Sequence, residues 1–185
     1  MVDDTPLLRP AKASAHDGSS IPRLLTSRVA VNMSEIREAV HRDPVWRDRS
    51  NFIIAASIEP GDTTISTEQL WARRLDDLHY ELCCIPFFAY DLALGDVVEV
   101  DSSFLVVQVS ERSGRYVFRV HLDQAAAPRD EILEELADLG ALVEWSSAKL
   151  LAVDARDQPL AQKIADSLQD RENLGQLIFE TGKSA

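Results

Sequence analysis

Residues 83–100 read CCIPFFAYDLALGDVVEV, and this stretch decides the fold. Pro86 has no amide hydrogen to give a sheet ladder and restricts Ile85 before it, so a strand beginning near His79 must stop there. Phe87 and Phe88 follow as two large rings at a corner, suited to plug the end of a small sheet or barrel. Tyr90 and Asp91 lie in the short crossover beyond. Gly95 then permits the positive φ that turns the chain into the strand Val97-Val98-Glu99-Val100.

Upstream, Asn51 to Ile58 and Gln69 to Leu75 carry the alternation of strands, broken by Glu59-Pro60-Gly61-Asp62. Asp76-Asp77-Leu78 is a hairpin-length turn into the strand ending at Ile85. Downstream, Asp96 to Asp101 and Phe104 to Ser110 are separated by Ser102-Ser103 alone. Five closely spaced strands with short connections describe an antiparallel meander, most simply one curled into a small barrel over residues 50–111.

The period changes over residues 112–185. Ser113-Gly114 turns into a strand from Arg115 to Leu122, and Pro128 opens a helix with Ile132, Leu133, Leu136 and Leu139 on one side, closed by Gly140. Strands at Ala141 to Trp145 and Lys149 to Val153 follow. Asp157 and Pro159 cap a second helix edged by Leu160, Ile164 and Leu168, and Leu177 to Phe179 forms a last strand. The order β-α-β-β-α-β is that of a ferredoxin-like module. The predicted fold class is α+β, a curled antiparallel sheet or barrel followed by that module. Because the strand at Phe104 runs by a tight turn into the one at Tyr116, the curled sheet is expected to be either continuous with that module or packed on it.

Ahead of both, residues 1–32 have the composition of a disordered arm, and Met33 would serve as a start of translation. Residues 33–49 read as a short helix, with Asn32 and Glu35 as a capping box and Ile36, Ala39 and Val40 as its apolar edge. A lid pinned by Trp46 completes them.

The motifs WRDRSNFII, QLWA, the IPFF corner, LGDVVEV, SGRYVFRV and the closing FETGK resemble an uncharacterised bacterial family, the domain of unknown function DUF4265, over roughly Trp46 to Lys183. The resemblance implies the same architecture and carries no catalytic residue or activity to this chain.

The 185 residues are 45% hydrophobic, enough for a substantial core. No apolar run approaches the ~20 residues that span a bilayer, so a cytoplasmic protein is expected. The two cysteines, Cys83 and Cys84, are adjacent in a strand and point to opposite faces, which excludes a disulfide framework or a zinc-ligand spacing. Net charge is −12. Residues 50–110 are the most acidic part, with two basic and ten acidic side chains. That sign repels phosphate, so neither nucleic acid nor an anionic membrane is expected as a partner.

Three function classes compete. A protein-binding module, inhibitor- or immunity-like, would present the acidic sheet and Glu131, Glu134, Glu135 and Asp138, on the helix side opposite Ile132 and Leu136, to a basic protein. A small-molecule sensor would use a pocket beside Phe87, Phe88, Tyr90 and Asp91. An enzyme would need a pair such as His121 and Asp123, two apart on a strand, yet no motif places a nucleophile for them, and no catalytic residue is assigned. Asp91, Asp96, Glu99 and Asp101 read as a solvated rim lacking the compact loop a calcium ion needs, and neither metal nor cofactor is expected. Arg112, Arg115 and Arg119 suit cross-strand ion pairs or an anion. His16 and His41 are expected in or near mobile segments, and His79 at an exposed turn.

Overall fold

Alternation of apolar and polar side chains builds two sheets, the first burying one parity of residues and the second burying both faces of its central strands. In the computed structural model, which describes residues 37–59, 64–122 and 128–182, the first sheet comprises β1 (Arg37–Val40), β2 (Phe52–Ser57), β3 (Ile65–Arg74), β4 (His79–Leu82), β5 (Val97–Val100) and β6 (Val106–Glu111). The second comprises β7 (Tyr116–His121), β8 (Leu142–Trp145), β9 (Leu150–Ala155) and β10 (Ile178–Thr181), joined by α1 (Arg129–Leu139) and α2 (Gln158–Asn173). The fold is α+β. Among the described residues no helix is long and apolar enough to cross a membrane.

In the first sheet the order is β1-β3-β4-β5-β6, with β2 on the other edge of β3. Ile54, Ala56, Leu70, Ala72, Tyr80, Leu82, Val98 and Val100 point inward to one core, the period-two outcome expected of half-buried strands. The sheet curls until β2 and β6 meet, but only at an isolated bridge, Ala55 with Leu105. No closed barrel forms. Phe104, with a left-handed φ of 61°, gives its carbonyl to Ala55 N at 3.0 Å; beyond that point the two edges separate.

Three expectations are corrected here. Residues 37–40 are a strand parallel to β3 rather than a helix, so the sheet is not purely antiparallel; Asn32, Glu35 and Ile36 lie outside the described residues, as does the arm at 1–32. Of the two arrangements left open for the halves, the packed one is found: Arg112 to Arg115, with Gly114 at φ 75°, carries the chain from β6 into a separate ladder. His41 is buried at 1% exposure, since both its ring nitrogens find carboxylates. The third is the barrel itself, which stays open.

The second sheet runs β10-β7-β9-β8, all neighbours antiparallel. Phe118, Val120, Leu122, Leu151 and Val153 share one core with Ile132 and Leu136 of α1 and Leu160, Ile164 and Leu168 of α2. Both helices therefore cover the same face. Asp157 caps α2 by accepting from Leu160 N at 2.9 Å, and Gly140, at φ 87°, ends α1, as the sequence leads one to expect. The opposite face of the sheet, through Val117 and Ala152, packs on Ile85, Phe87, Ala93 and Leu94. The Pro-Phe corner is thus the joint between the two sheets.

Candidate functional site

A loop buried between two sheets must still satisfy its amides. Residues 85–89 do so without a ladder. Ile85 N donates to Glu144 Oε1 at 2.9 Å. Phe87 N donates to Glu68 Oε1 at 2.5 Å, and Phe88 N and Ala89 N donate to Glu68 Oε2 at 2.9 and 2.7 Å. Pro86 has nothing to donate, so every N–H of the corner ends on a buried carboxylate. The carbonyls face the other way: Arg119 Nε donates to Phe87 O, and its Nη2 to Ala89 O at 2.9 Å.

Two buried carboxylates need a countercharge. His41 supplies it, with Nδ1 2.6 Å from Glu144 Oε2 and Nε2 2.9 Å from Glu68 Oε1, its ring stacked on Phe87 at 4.0 Å between centroids. Burial by itself would lower the His41 pKa, but the Cys84 sulfur and the carboxylates of Glu144 and Glu68 outweigh it and push the value up to about 12. Burial raises the Cys84 pKa as well, while the His41 charge opposes that rise. Burial opposes ionisation of Glu68, yet His41 and the amides of Phe87 and Phe88 hold its pKa below the ordinary value. His41 is therefore an imidazolium donating from both nitrogens. Burial, with Glu81 next to it, also pushes the Cys83 thiol up to about 11, which leaves neither cysteine a ready thiolate.

On the outer side of the corner, where β2 and β6 diverge and β10 edges the second sheet, a cleft of about 1190 Å³ opens. Phe87, Phe88, Tyr90 and Asp91 all lie along it. Phe87 is 1% exposed and serves mainly the core, whereas Tyr90 is 49% exposed. The apolar wall includes Ile58, Leu92, Val106, Val109 and Phe179; the charged and titratable groups include Glu59, Asp91, Arg112, Arg119, His121 and Glu180. Tyr90 covers Arg119, its ring 4.1 Å from the guanidinium carbon, and donates its hydroxyl to Glu180 Oε1 at 2.7 Å. That hydrogen bond to Glu180 is the main reason the Tyr90 pKa lies above its ordinary value.

The other expected residues fall elsewhere. His121 borders the cleft, while Asp123 lies outside the described residues, as does His16. Asp96 is buried and accepts from Ala93 N at 3.0 Å and Ser113 N at 2.7 Å. Asp101 accepts from Ser103 N and Leu105 N, and Glu99 from Gln108 at 2.6 Å. The expected rim is in fact three separate local supports. Arg115 makes one of the expected cross-strand ion pairs, with buried Asp154, Nε to Oδ1 2.8 Å. His79 stays at its turn, tied to Asp76 at 2.9 Å.

On α1, Glu131, Glu134 and Asp138 are exposed, but Glu135 is half-buried. It accepts from Ser167 at 2.5 Å and from Arg171 Nη2 at 2.8 Å, and Arg171 Nη1 lies 3.6 Å from Glu131. The hydrogen bond from Ser167, with Arg171 adding to it, holds Glu135 below the ordinary carboxylate range. All four acids were expected on the outward side of α1, free to meet a partner; Glu135 and Glu131 are instead engaged by α2.

Sequence reasoning missed His41, Glu68 and Glu144, which come from three distant parts of the chain. One signal was available. Glu68 shares the inward parity of Leu70 and Ala72 on β3, so a charge there demanded a partner.

The solved structure of a hypothetical protein from Neisseria gonorrhoeae is similar, with a TM-score of 0.61 at 18% identity over 72% of this chain and 96% of that one. That likeness concerns the fold alone. No curated protein matches the sequence. The family described as Domain of unknown function (DUF4265) matches residues 68–179, a span that contains Glu68, the Pro-Phe corner, Arg119 and Glu144. The chain belongs to the DUF4265 family.

Proposed function

We propose that this chain is a non-catalytic ligand-binding module whose site is the cleft between β2, β6 and β10. One observation carries the reading: the curled sheet stops zipping at Ala55 and Leu105, and the opening beside it combines an apolar wall with one buried guanidinium. Ligand sites are commonly ~300–1,000 Å³, mostly apolar, with a few polar groups that orient the guest. The neighbouring βαββαβ unit is ferredoxin-like in this reading, supported by its strand order β10-β7-β9-β8 and by both helices sharing one core. A cytoplasmic setting suits the two free thiols.

Thermal denaturation across a chemically mixed library of small molecules tests it. A ligand that selects the folded state at a hundredfold excess over its Kd adds ~2.7 kcal/mol and raises Tm. Tyr90→Ala, at a half-exposed position, should remove that shift while leaving the unliganded melt nearly unchanged. A library that moves Tm nowhere, or hits indifferent to Tyr90→Ala, would contradict the reading.

A second reading keeps the basic protein partner, supported by the exposure of Glu131, Glu134 and Asp138 on α1. Its signature is an association rate that falls steeply with salt.

A further inference from the structure

Resting on the ligand-binding reading, we propose that the cleft takes a carboxylate with an apolar body, and that Glu180 is an internal stand-in for the ligand's carboxylate. Arg119 is only 5% exposed, and three of its nitrogens have different fates. Nε and Nη2 are committed to the carbonyls of Phe87 and Ala89. Nη1 is buried without a hydrogen-bond partner. The anion facing it is Glu180 Oε1 at 3.6 Å, beyond the reach of a hydrogen bond. That same oxygen accepts the Tyr90 hydroxyl at 2.7 Å, so Glu180 is held by Tyr90 and approaches Arg119 without meeting it.

A buried charged donor left without an acceptor is costly, and an oxygen that reaches it recovers the loss. A free carboxylate has the freedom Glu180 lacks: one oxygen can accept from Arg119 Nη1 while the other accepts from the Tyr90 hydroxyl. Both lid residues can turn aside, since the Glu180 side chain is 53% exposed and Tyr90 49%. The charge balance favours a monoanion over a phosphate. Glu59, Asp91 and Glu180 stand on the same walls, and Arg112 is already engaged by Asp91 O and lies 3.4 Å from Asp96, leaving Arg119 Nη1 as the buried guanidinium donor that can answer one negative charge. Ile58, Leu92, Val106, Val109 and Phe179 then offer the body of the ligand an apolar bed.

Octanoate, 1-octanol and octyl phosphate, titrated calorimetrically into the full chain, test this. Octanoate should bind at least about tenfold tighter than 1-octanol, the worth of one charge-assisted hydrogen bond, and tighter than octyl phosphate. Glu180→Gln keeps the shape but weakens the competitor, and should raise octanoate affinity by about tenfold while leaving 1-octanol unchanged; Tyr90→Phe should lower octanoate affinity severalfold. Thermal melts of both variants confirm that they fold. Equal binding of octanoate and 1-octanol, preference for octyl phosphate, or indifference of octanoate to Glu180→Gln overturns the inference. Octanoate failing to bind while the library yields a ligand of another class overturns it too, and leaves the cleft reading standing.

Discussion

Glu68 and Arg119 hold the same loop from opposite sides: Glu68 accepts the amides of Phe87, Phe88 and Ala89, and Arg119 donates to the carbonyls of Phe87 and Ala89. One residue comes from the first sheet and the other from the second, so the peptide groups between them join the two. Replacing Glu68 with Gln removes one of the two carboxylates paired with His41, leaving Glu144, and turns an acceptor of three amides into a group with one carbonyl. Breaking a buried charged network in this way costs about 3–5 kcal/mol. The urea midpoint should drop accordingly, and a loss below ~1 kcal/mol would show that the loop does not depend on Glu68.

The pH dependence of stability has a definite sign. His41 titrates at 6.5 unfolded and at about 12 folded, so the folded chain keeps a proton that the unfolded chain releases. Its contribution is complete below 6.5 and declines as pH rises toward 12. Glu68 runs the other way: its folded pKa is below 4.5, so its contribution is present above 4.5 and is lost as pH falls through the folded value. The two together place the greatest stability between about 4.5 and 6.5. Urea midpoints from pH 3 to 9 check this, and His41→Gln should flatten the alkaline limb. An imidazole that proves neutral by nitrogen NMR at pH 8 would contradict it.

Gly95 takes φ 79°, and a Cβ there would sit 3.3 Å from both the Trp46 ring and Ser113 Cβ. Gly95→Ala should cost about 1 kcal/mol or more, from the left-handed backbone and the crowding together. Trp46→Ala in the same background relieves the ring contact, so the double mutant should lose less than the sum of the singles. Additive losses would leave the backbone as the only cause.

On α1, charge reversal separates partner from scaffold. Glu134→Lys should leave stability within about 0.5 kcal/mol, whereas Glu135→Lys faces Arg171 and loses Ser167, costing up to about 1 kcal/mol after allowance for its exposure. A basic partner, if captured from lysate at low salt, should release on Glu134→Lys. Identical melts for the two variants would show that the Arg171 contact contributes nothing.

Much of the fold was legible because it is local. Hairpin-length turns, the change of period near Pro128, the Asp157 cap and the glycine at 95 each declare themselves within a few residues. The errors lie where distant partners decide. Residues 37–40 carry too few apolar side chains to distinguish a helix from a strand, and pairing with β3 settles it. His41 looked solvent-bound because its partners are 27 and 103 residues away. Tyr90 and Asp91 could be named from the corner alone, but Glu180 above Arg119 arrives from the last strand, and nothing in its neighbourhood FET announces a lid.

The central claim is that the cleft is where this chain meets its ligand, and an amide NMR titration of the isotope-labelled protein with the library compound that raises Tm most tests it most directly. The account predicts saturable shifts concentrated at residues 56–59, 88–92 and 106–109 and at Glu180, with residues 129–139 of α1 unmoved. Shifts gathered on α1, or scattered without saturation while the cleft amides stay still, would contradict it.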